Sequence, residues 1–371
     1  MSDKTTPKWA NTRVSARLGI KYPIIQGPLG GLSSQRLTAA VSNYGGLGSF
    51  GAHGLTPSAI KDVIAELRSM THKPFAMNLW VSMEDEGARS SDEAAFKRSL
   101  TKLAPLIQSL GSTLPSYTPY SPMKFDQQVR VLIDAKVPAF SFVCGIPAKE
   151  ILDECRAKSI VIIGTATTPD EAIELQKADV DLIVASGFEA GGHRGSFLRT
   201  SEESLTGTFS LVPLVADVAS VPVVAAGGIA DARGIVAAFA LGAEGVQIGT
   251  AFLACEESGA SPPHREALLS GKADRTALTR GFTGRLARGI KNQLLDTMNA
   301  PGAEILPYPL QRFLMRSVSG PAEKSGRPEL IPMWAGQSAN LARHTQATEL
   351  LHALVSGVSA VIDDVFATEA K

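Results

Sequence analysis

Three cysteines in 371 residues, Cys144, Cys155 and Cys255, form no spaced metal pattern, and their odd number leaves at least one thiol unpaired. They suit a reducing compartment, so neither a disulfide framework nor a thiolate zinc site is expected. Charge of one sign is also missing: 36 Lys+Arg balance 36 Asp+Glu, and no global field draws the chain to nucleic acid or an acidic membrane. No stretch approaches the ~18 apolar residues of a membrane span. The first ten residues are polar and lack the basic start and apolar run of an export signal, so a cytoplasmic location is expected. No Gly-x-Gly-x-x-Gly follows the first apolar strand, and no Gly-x-x-x-x-Gly-Lys-Ser/Thr run occurs, which removes the fingerprints of Rossmann dinucleotide and P-loop sites. No two histidines have the i,i+4 spacing of helical metal ligands, so no metal is expected.

What is present is a large apolar fraction, 44%, with 34 Gly and 22 Pro, below the Gly+Pro content of disordered chains. Eight short apolar runs read as buried strands: Pro23–Gln26, Leu47–Phe50, Phe75–Asn78, Ala139–Val143, Ile160–Gly164, Leu182–Ala185, Val223–Ala226 and Gly245–Ile248. Amphipathic stretches separate them, such as Thr56–Arg68, Pro169–Lys177 and Asp231–Leu241. Thr56-Pro57 and Thr168-Pro169 each place a capping hydroxyl before a first-turn proline. Alternation of strand and helix implies right-handed crossovers and a parallel sheet, and eight units imply a closed α/β TIM (β/α)8 barrel.

Two long departures interrupt the repeat. Residues 82–128 carry a helical segment and Pro115-Ser-Tyr-Thr-Pro-Tyr-Ser-Pro122, read as a long loop after the third strand. Residues 259–333 follow the eighth strand and are expected to form a mostly helical, substrate-covering segment. The barrel then comprises 13–258 plus 334–369, closed by a helix over Glu349–Phe366. Both departures leave from the C-terminal ends of strands, where barrel active sites lie.

The strand ends carry candidate chemistry. Ala226-Gly227-Gly228-Ile229 and Gln247-Ile248-Gly249-Thr250 end the seventh and eighth strands. Their glycines let backbone N–H groups approach a phosphate, and the following helix starts add the positive ends of their dipoles. Tight-turn packing is the competing explanation. Past the sixth strand come Ser186, Gly191, Gly192 and His193; an imidazole there is placed as a proton acceptor over the barrel mouth. Glu189 either orients a partner or pairs with Arg194 or another cation. Gly27, Pro28 and Leu29 offer backbone groups and an apolar wall for a planar ring, and Asn78 offers an amide to a ring edge or bonds its own backbone. His53 is ambiguous, while His72, His264, His344 and His352 are placed on the surface without a role.

Taken in order, Pro23-Ile-Ile-Gln-Gly-Pro-Leu-Gly-Gly31, Gly45-Gly-Leu-Gly-Ser49, Asn78, Gly187-Phe-Glu-Ala-Gly-Gly-His-Arg-Gly195, Ala226-Gly-Gly-Ile229 and Gln247-Ile-Gly-Thr250 resemble the nitronate monooxygenase family. Phe282-Thr-Gly-Arg-Leu-Ala-Arg288, Pro307-Tyr-Pro-Leu-Gln311 and Trp334-Ala-Gly-Gln337 resemble its bacterial branch. The resemblance implies a TIM barrel holding FMN non-covalently. It implies flavin contacts from Asn78, Gly191, Gly228, Gln247, Ile248, Gly249 and Thr250, with Gly228 and the last run at the phosphate, and an active-site histidine at His193. The implied reaction is oxidation of an alkyl nitronate by O2 to a carbonyl compound and nitrite. Relatives often carry Gln at Ser186 and Met at Leu29, the second a volume-conserving change. An FMN-dependent NAD(P)H oxidoreductase, acting on a quinone or an enoyl thioester, is the alternative, because those relatives share the barrel and the Gly-Gly-His segment. A flavin-storing barrel without turnover is a third reading.

Overall fold

The computed structural model describes residues 6–82, 84–85, 87–118 and 123–366. Eight strands form one parallel sheet: β1 (Ile24–Gln26), β2 (Gly48–Gly51), β3 (Phe75–Trp80), β4 (Ala139–Val143), β5 (Val161–Ala166), β6 (Leu182–Ser186), then, past the short β7 (Gly192–His193), β8 (Val223–Ala226) and β9 (Gly245–Ile248). Each pairs with its neighbour in register, and β9 returns to β1 with Ile25 beside Gln247. A bridge between Ile25 and Leu47, with Gln26 N–H donating to Leu47 O at 2.9 Å, joins β1 to the edge of β2 and closes the TIM barrel. All eight predicted strands are present, with β2, β3, β5 and β6 running one or two residues further than their apolar runs.

Strand parity separates two layers of packing. Ile25, Ala76, Ala139, Ile163, Val184 and Val224 point inward, where Val14 and Leu18 of the helix Arg13–Leu18 join them. Their neighbours Ile24, Met77, Phe140, Ile162, Ile183 and Val246 face outward against the helical ring. Helix starts follow the capping signals: Thr56 Oγ1 accepts from Ala59 N–H and Thr168 Oγ1 from Glu171 N–H. The last helix, Ala347–Phe366, buries Leu350, Leu351, Leu354 and Val358 against the ring, each contributing roughly 2 kcal/mol of apolar burial.

The two departures merge into one cap with its own core. Leu103 and Ile107 of the helix Glu93–Ser109 pack with Leu294, Leu295 and Met298 of Gln293–Asn299 and with Leu314 and Val318 of Leu310–Lys324. Residues 82–128 are therefore more than a loop. Nor is the cover only helical, since β10 (Thr276–Thr279) and β11 (Ala287–Ile290) make an antiparallel sheet with β7. That pairing, Ala287 beside His193, ties the cover to the barrel mouth at the histidine. No helix among the described residues is long and apolar enough to cross a membrane.

Candidate active site

One cavity opens at the C-terminal mouth of the barrel. Its volume of about 240 Å³ is far above the roughly 10–15 Å³ that one water needs, so it has the size of a ligand site. Gly27, Pro28 and Leu29 line it from the loop after β1, and Asn78 from β3. Ser186, Gly191, Gly192 and His193 line it from β6 and the segment beyond, Gly227 and Gly228 from the loop after β8, and Gln247, Gly249 and Thr250 from β9 and its end. Parity explains both membership and the one exception. Asn78, Ser186 and Gln247 occupy inward positions, whereas Ile248 points outward into the helix-facing core, fully buried. The expected contact from Ile248 is thereby limited to its backbone.

The backbone N–H groups of Gly228, Ile229, Gly249 and Thr250 donate to no acceptor among the described residues. All four residues line the same end of the cavity, where free donors suit an anion such as a phosphate. The glycines there have two different causes. Gly227, at φ +103, would bring a Cβ within 2.9 Å of both Gly187 O and Thr208 Oγ1, so packing of the chain alone demands glycine. A Cβ on Gly249 would meet only Leu29 Cδ2, at 3.7 Å, and otherwise faces open space. The expected helix-dipole contribution is small. The helix after β9, Thr250–Leu253, has only four residues, and the helix after β8 is capped by Asp231, whose carboxylate accepts from Arg233 and Gly234 N–H. Trp334–Ser338 buttresses this end: Gly336 N–H donates to Thr250 Oγ1 at 2.9 Å and Ser338 Oγ to Gly228 O at 2.6 Å.

His193 is held by β7 with its Nε2 2.7 Å from Thr283 Oγ1. Its Nδ1 has no hydrogen-bond partner among the described residues and is not fully buried, and the residue lines the cavity. The ring meets Trp80 edge-on at 4.8 Å and Trp334 at 5.1 Å between centroids. Burial, with the Arg312 and Arg285 guanidinium groups adding repulsion, pushes its pKa down to about 3, so the imidazole is neutral at pH 7. A bound anion would oppose both guanidinium groups and raise that value.

His53, ambiguous in the sequence, lines the cavity on the other side of Trp80, stacked on the indole at 4.2 Å. Its Nε2 lies 3.4 Å from Arg312 Nη1, and burial, then repulsion by Arg312, His193 and Arg285, keeps its pKa well below the usual imidazole range. Arg312 lines the cavity without a carboxylate partner among the described residues. Arg285 instead bonds Asp85 at 2.6 Å and lies over the rings of Trp80 and Tyr308. Trp80 and Arg312 are not singled out by the sequence, and Thr283 and Trp334 appear there only within motifs, without a role in the site. Trp80 was the legible one, lying two residues beyond Asn78 on the same strand face.

Other assignments are refined. The Asn78 amide donates to Ser141 Oγ at 2.9 Å, across to β4, and bonds no backbone of its own. Glu189 forms no ion pair among the described residues; its carboxylate accepts from Thr208 N–H and Oγ1, at 2.9 Å each. Arg194 donates to the carbonyls of Ser186, Thr167 and Ser204. His264 is not a surface residue: it is 2% exposed and its Nε2 bonds Trp334 O at 2.8 Å. Tyr308 reaches Trp80, at 5.3 Å between ring centroids, while Tyr117 bonds Ser91 O away from the cavity. Tyr120 lies outside the described residues.

A TIM barrel with a capped ligand cavity, free phosphate-type donors and a cavity-facing imidazole defines an enzyme of the barrel class. The nitronate monooxygenase family model matches residues 11–357. A probable nitronate monooxygenase of Staphylococcus haemolyticus (strain JCSC1435) is 40% identical over 356 residues, covering 95% of this chain and 99% of that protein. One of Staphylococcus aureus (strain Newman) is 39% identical over 355 residues, with the same coverage of both chains. Among solved structures, nitroalkane oxidase from Streptomyces ansochromogenes superposes with a TM-score of 0.86 at 33% identity, over 95% of this chain and 100% of that one. FabK from Thermotoga maritima gives 0.75 at 29% identity, over 96% and 98%. The chain belongs to the nitronate monooxygenase family.

Proposed function

We propose that the protein is an FMN-dependent enzyme that oxidises alkyl nitronates with O2, giving a carbonyl compound and nitrite. The observation that carries this reading is the presence, in one cavity, of four backbone donors without acceptors among the described residues, from the loops after β8 and β9, together with His193. The donor set fits the phosphate of a flavin mononucleotide: Gly228, Ile229, Gly249 and Thr250 would hold it, and the open space at Gly249 leaves the approach clear. The loop Gly27–Leu29 and the Asn78 amide would flank the ring system. When bound, the flavin supplies the redox chemistry that no side chain here can perform.

The chain's own residues supply charge, orientation and dryness. A nitronate is an anion with its charge on two oxygens, and the Arg312 guanidinium on the cavity wall offsets that charge. His193 Nδ1 presents one hydrogen-bonding atom to the substrate and is uncharged at neutral pH. In that neutral state the imidazole can hydrogen-bond a preformed nitronate. Trp80, Trp334 and Leu29 give the apolar walls that exclude water. The test is product analysis: flavin-loaded enzyme given a panel of alkyl nitronates in air should consume O2 and release nitrite with the matching carbonyl compound. Likeness to FabK supports a second reading, reduction of the flavin by NADH or NADPH, and anaerobic mixing with either nucleotide separates the two.

A further inference from the structure

We propose that Trp80 is the specificity-determining residue of the cavity, a fixed indole wall that limits the length of the carbon chain a substrate can carry. The inference rests on the proposed function, which puts the reacting anion beside His193. Asn78 and Trp80 are two residues apart on one face of β3, and both line the cavity. A strand rises about 3.3 Å per residue, so Trp80 springs from the strand roughly 6.6 Å further out of the mouth than Asn78. That step is the depth of about two layers of atoms in contact. A ligand lying over a ring held at the level of the Asn78 amide therefore meets the indole. His193 touches the same indole, 4.8 Å away between centroids, so a ligand bonded to His193 can lengthen only until its chain reaches that wall.

The wall is held from several sides. His53 stacks on the indole at 4.2 Å with 12° between the planes, the Arg285 guanidinium lies over the ring at 5.4 Å, and Tyr308 packs at 5.3 Å. Trp80 is 7% exposed, and turning its ring would displace at least one of these neighbours. They are themselves anchored without its help. Arg285 bonds Asp85 at 2.6 Å and donates to Ser82 O at 2.9 Å, Tyr308 O accepts from Asp85 N–H at 2.9 Å, and His53 O accepts from Gln128 Nε2 at 2.9 Å. Truncating Trp80 should therefore leave a void joined to the cavity, not a collapsed wall, and an alkyl chain can fill it.

The test assays n-alkyl nitronates of about three to eight carbons for kcat/KM at matched flavin content. In the wild type, kcat/KM should rise about fourfold per methylene while the chain fits, then level off or fall. Trp80→Ala should move that break to chains longer by about two or three carbons, a gain of roughly 15- to 60-fold for the longest chains relative to the shortest. Trp80→Phe should move it less. A Trp80 that merely supports His193 would lower the rate at every length alike. The flavin difference spectrum on titration with n-alkyl carboxylates of the same lengths, unreactive anions with two oxygens, gives Kd and should break and shift in the same way. This titration needs no turnover, so its outcome is separate from whether nitronates are the substrates. Profiles of the same shape in wild type and Trp80→Ala would overturn the proposal. So would a wild-type Kd that keeps falling through the longest carboxylate, a result that needs no variant to fold.

Discussion

Replacing Gly249 by valine tests the cofactor end of the cavity without disturbing the barrel. The residue has φ −106 and ψ −72, a conformation open to L side chains, and its Cβ would touch only Leu29 Cδ2, at 3.7 Å. Its side chain would therefore project into the space beside the free N–H groups of Gly249 and Thr250. Keeping a phosphate from two charge-assisted hydrogen bonds costs about 3–6 kcal/mol, a weakening of roughly a hundred- to ten-thousand-fold in Kd. Gly249→Val should emerge from gel filtration colourless, with a melting temperature equal to that of wild-type apoprotein. Gly227→Ala is the contrast, because φ +103 and two contacts at 2.9 Å make it a folding lesion. It should cost about 1–3 kcal/mol and lower the melting temperature by about 1–4 °C. Gly228, at φ +71, is a poorer probe, since a side chain there strains the backbone as well as crowding the cavity. A full complement of flavin on Gly249→Val would refute the phosphate assignment.

Acid should weaken the fold through His264. Burial holds its pKa at about 4 while the unfolded chain titrates near 6.5, so the unfolded state binds the extra proton and stability falls as pH drops from about 6.5 toward 4. At pH 5 the loss is about 2 kcal/mol, and His264→Gln should show a smaller drop in melting temperature between pH 7 and pH 5 than the wild type; an equal drop would remove His264 as the cause. Anaerobic NADH or NADPH should leave the flavin spectrum of the wild type oxidised over the time of an assay, and rapid bleaching would favour the reductase reading instead.

The barrel is legible because most of its buried strands are short apolar runs followed by glycine or a polar residue and separated by amphipathic stretches. Asn78 is placed at the mouth as the polar end of its run, and the period of two along a strand puts Trp80, two positions on, on the same face. Ile248, implied as a contact by the family resemblance, turns its side chain the other way, because consecutive strand residues alternate faces. The cap was harder. Nothing local in Gly192-His193 announces pairing with Ala287 and Arg288, nor that Thr283, ninety residues away, ends beside the imidazole. The helical segment expected within residues 82–128 is Glu93–Ser109; what the loop reading missed is that its apolar face, Leu103 and Ile107, is buried in the cap core. His264 is isolated in sequence, and its one hydrogen-bond partner, Trp334 O, lies seventy residues further along the chain.

On the proposed function, His193 faces the substrate and the glycine loops hold the flavin, two separable tasks in one cavity. The direct measurement compares nitrite release by wild type and His193→Asn on the same alkyl nitronate at matched flavin content. The variant should bind flavin fully while its turnover of a limiting nitronate falls by roughly ten- to a hundredfold, the worth of one hydrogen bond to a charged group. Equal rates from the two proteins would contradict the role given to His193.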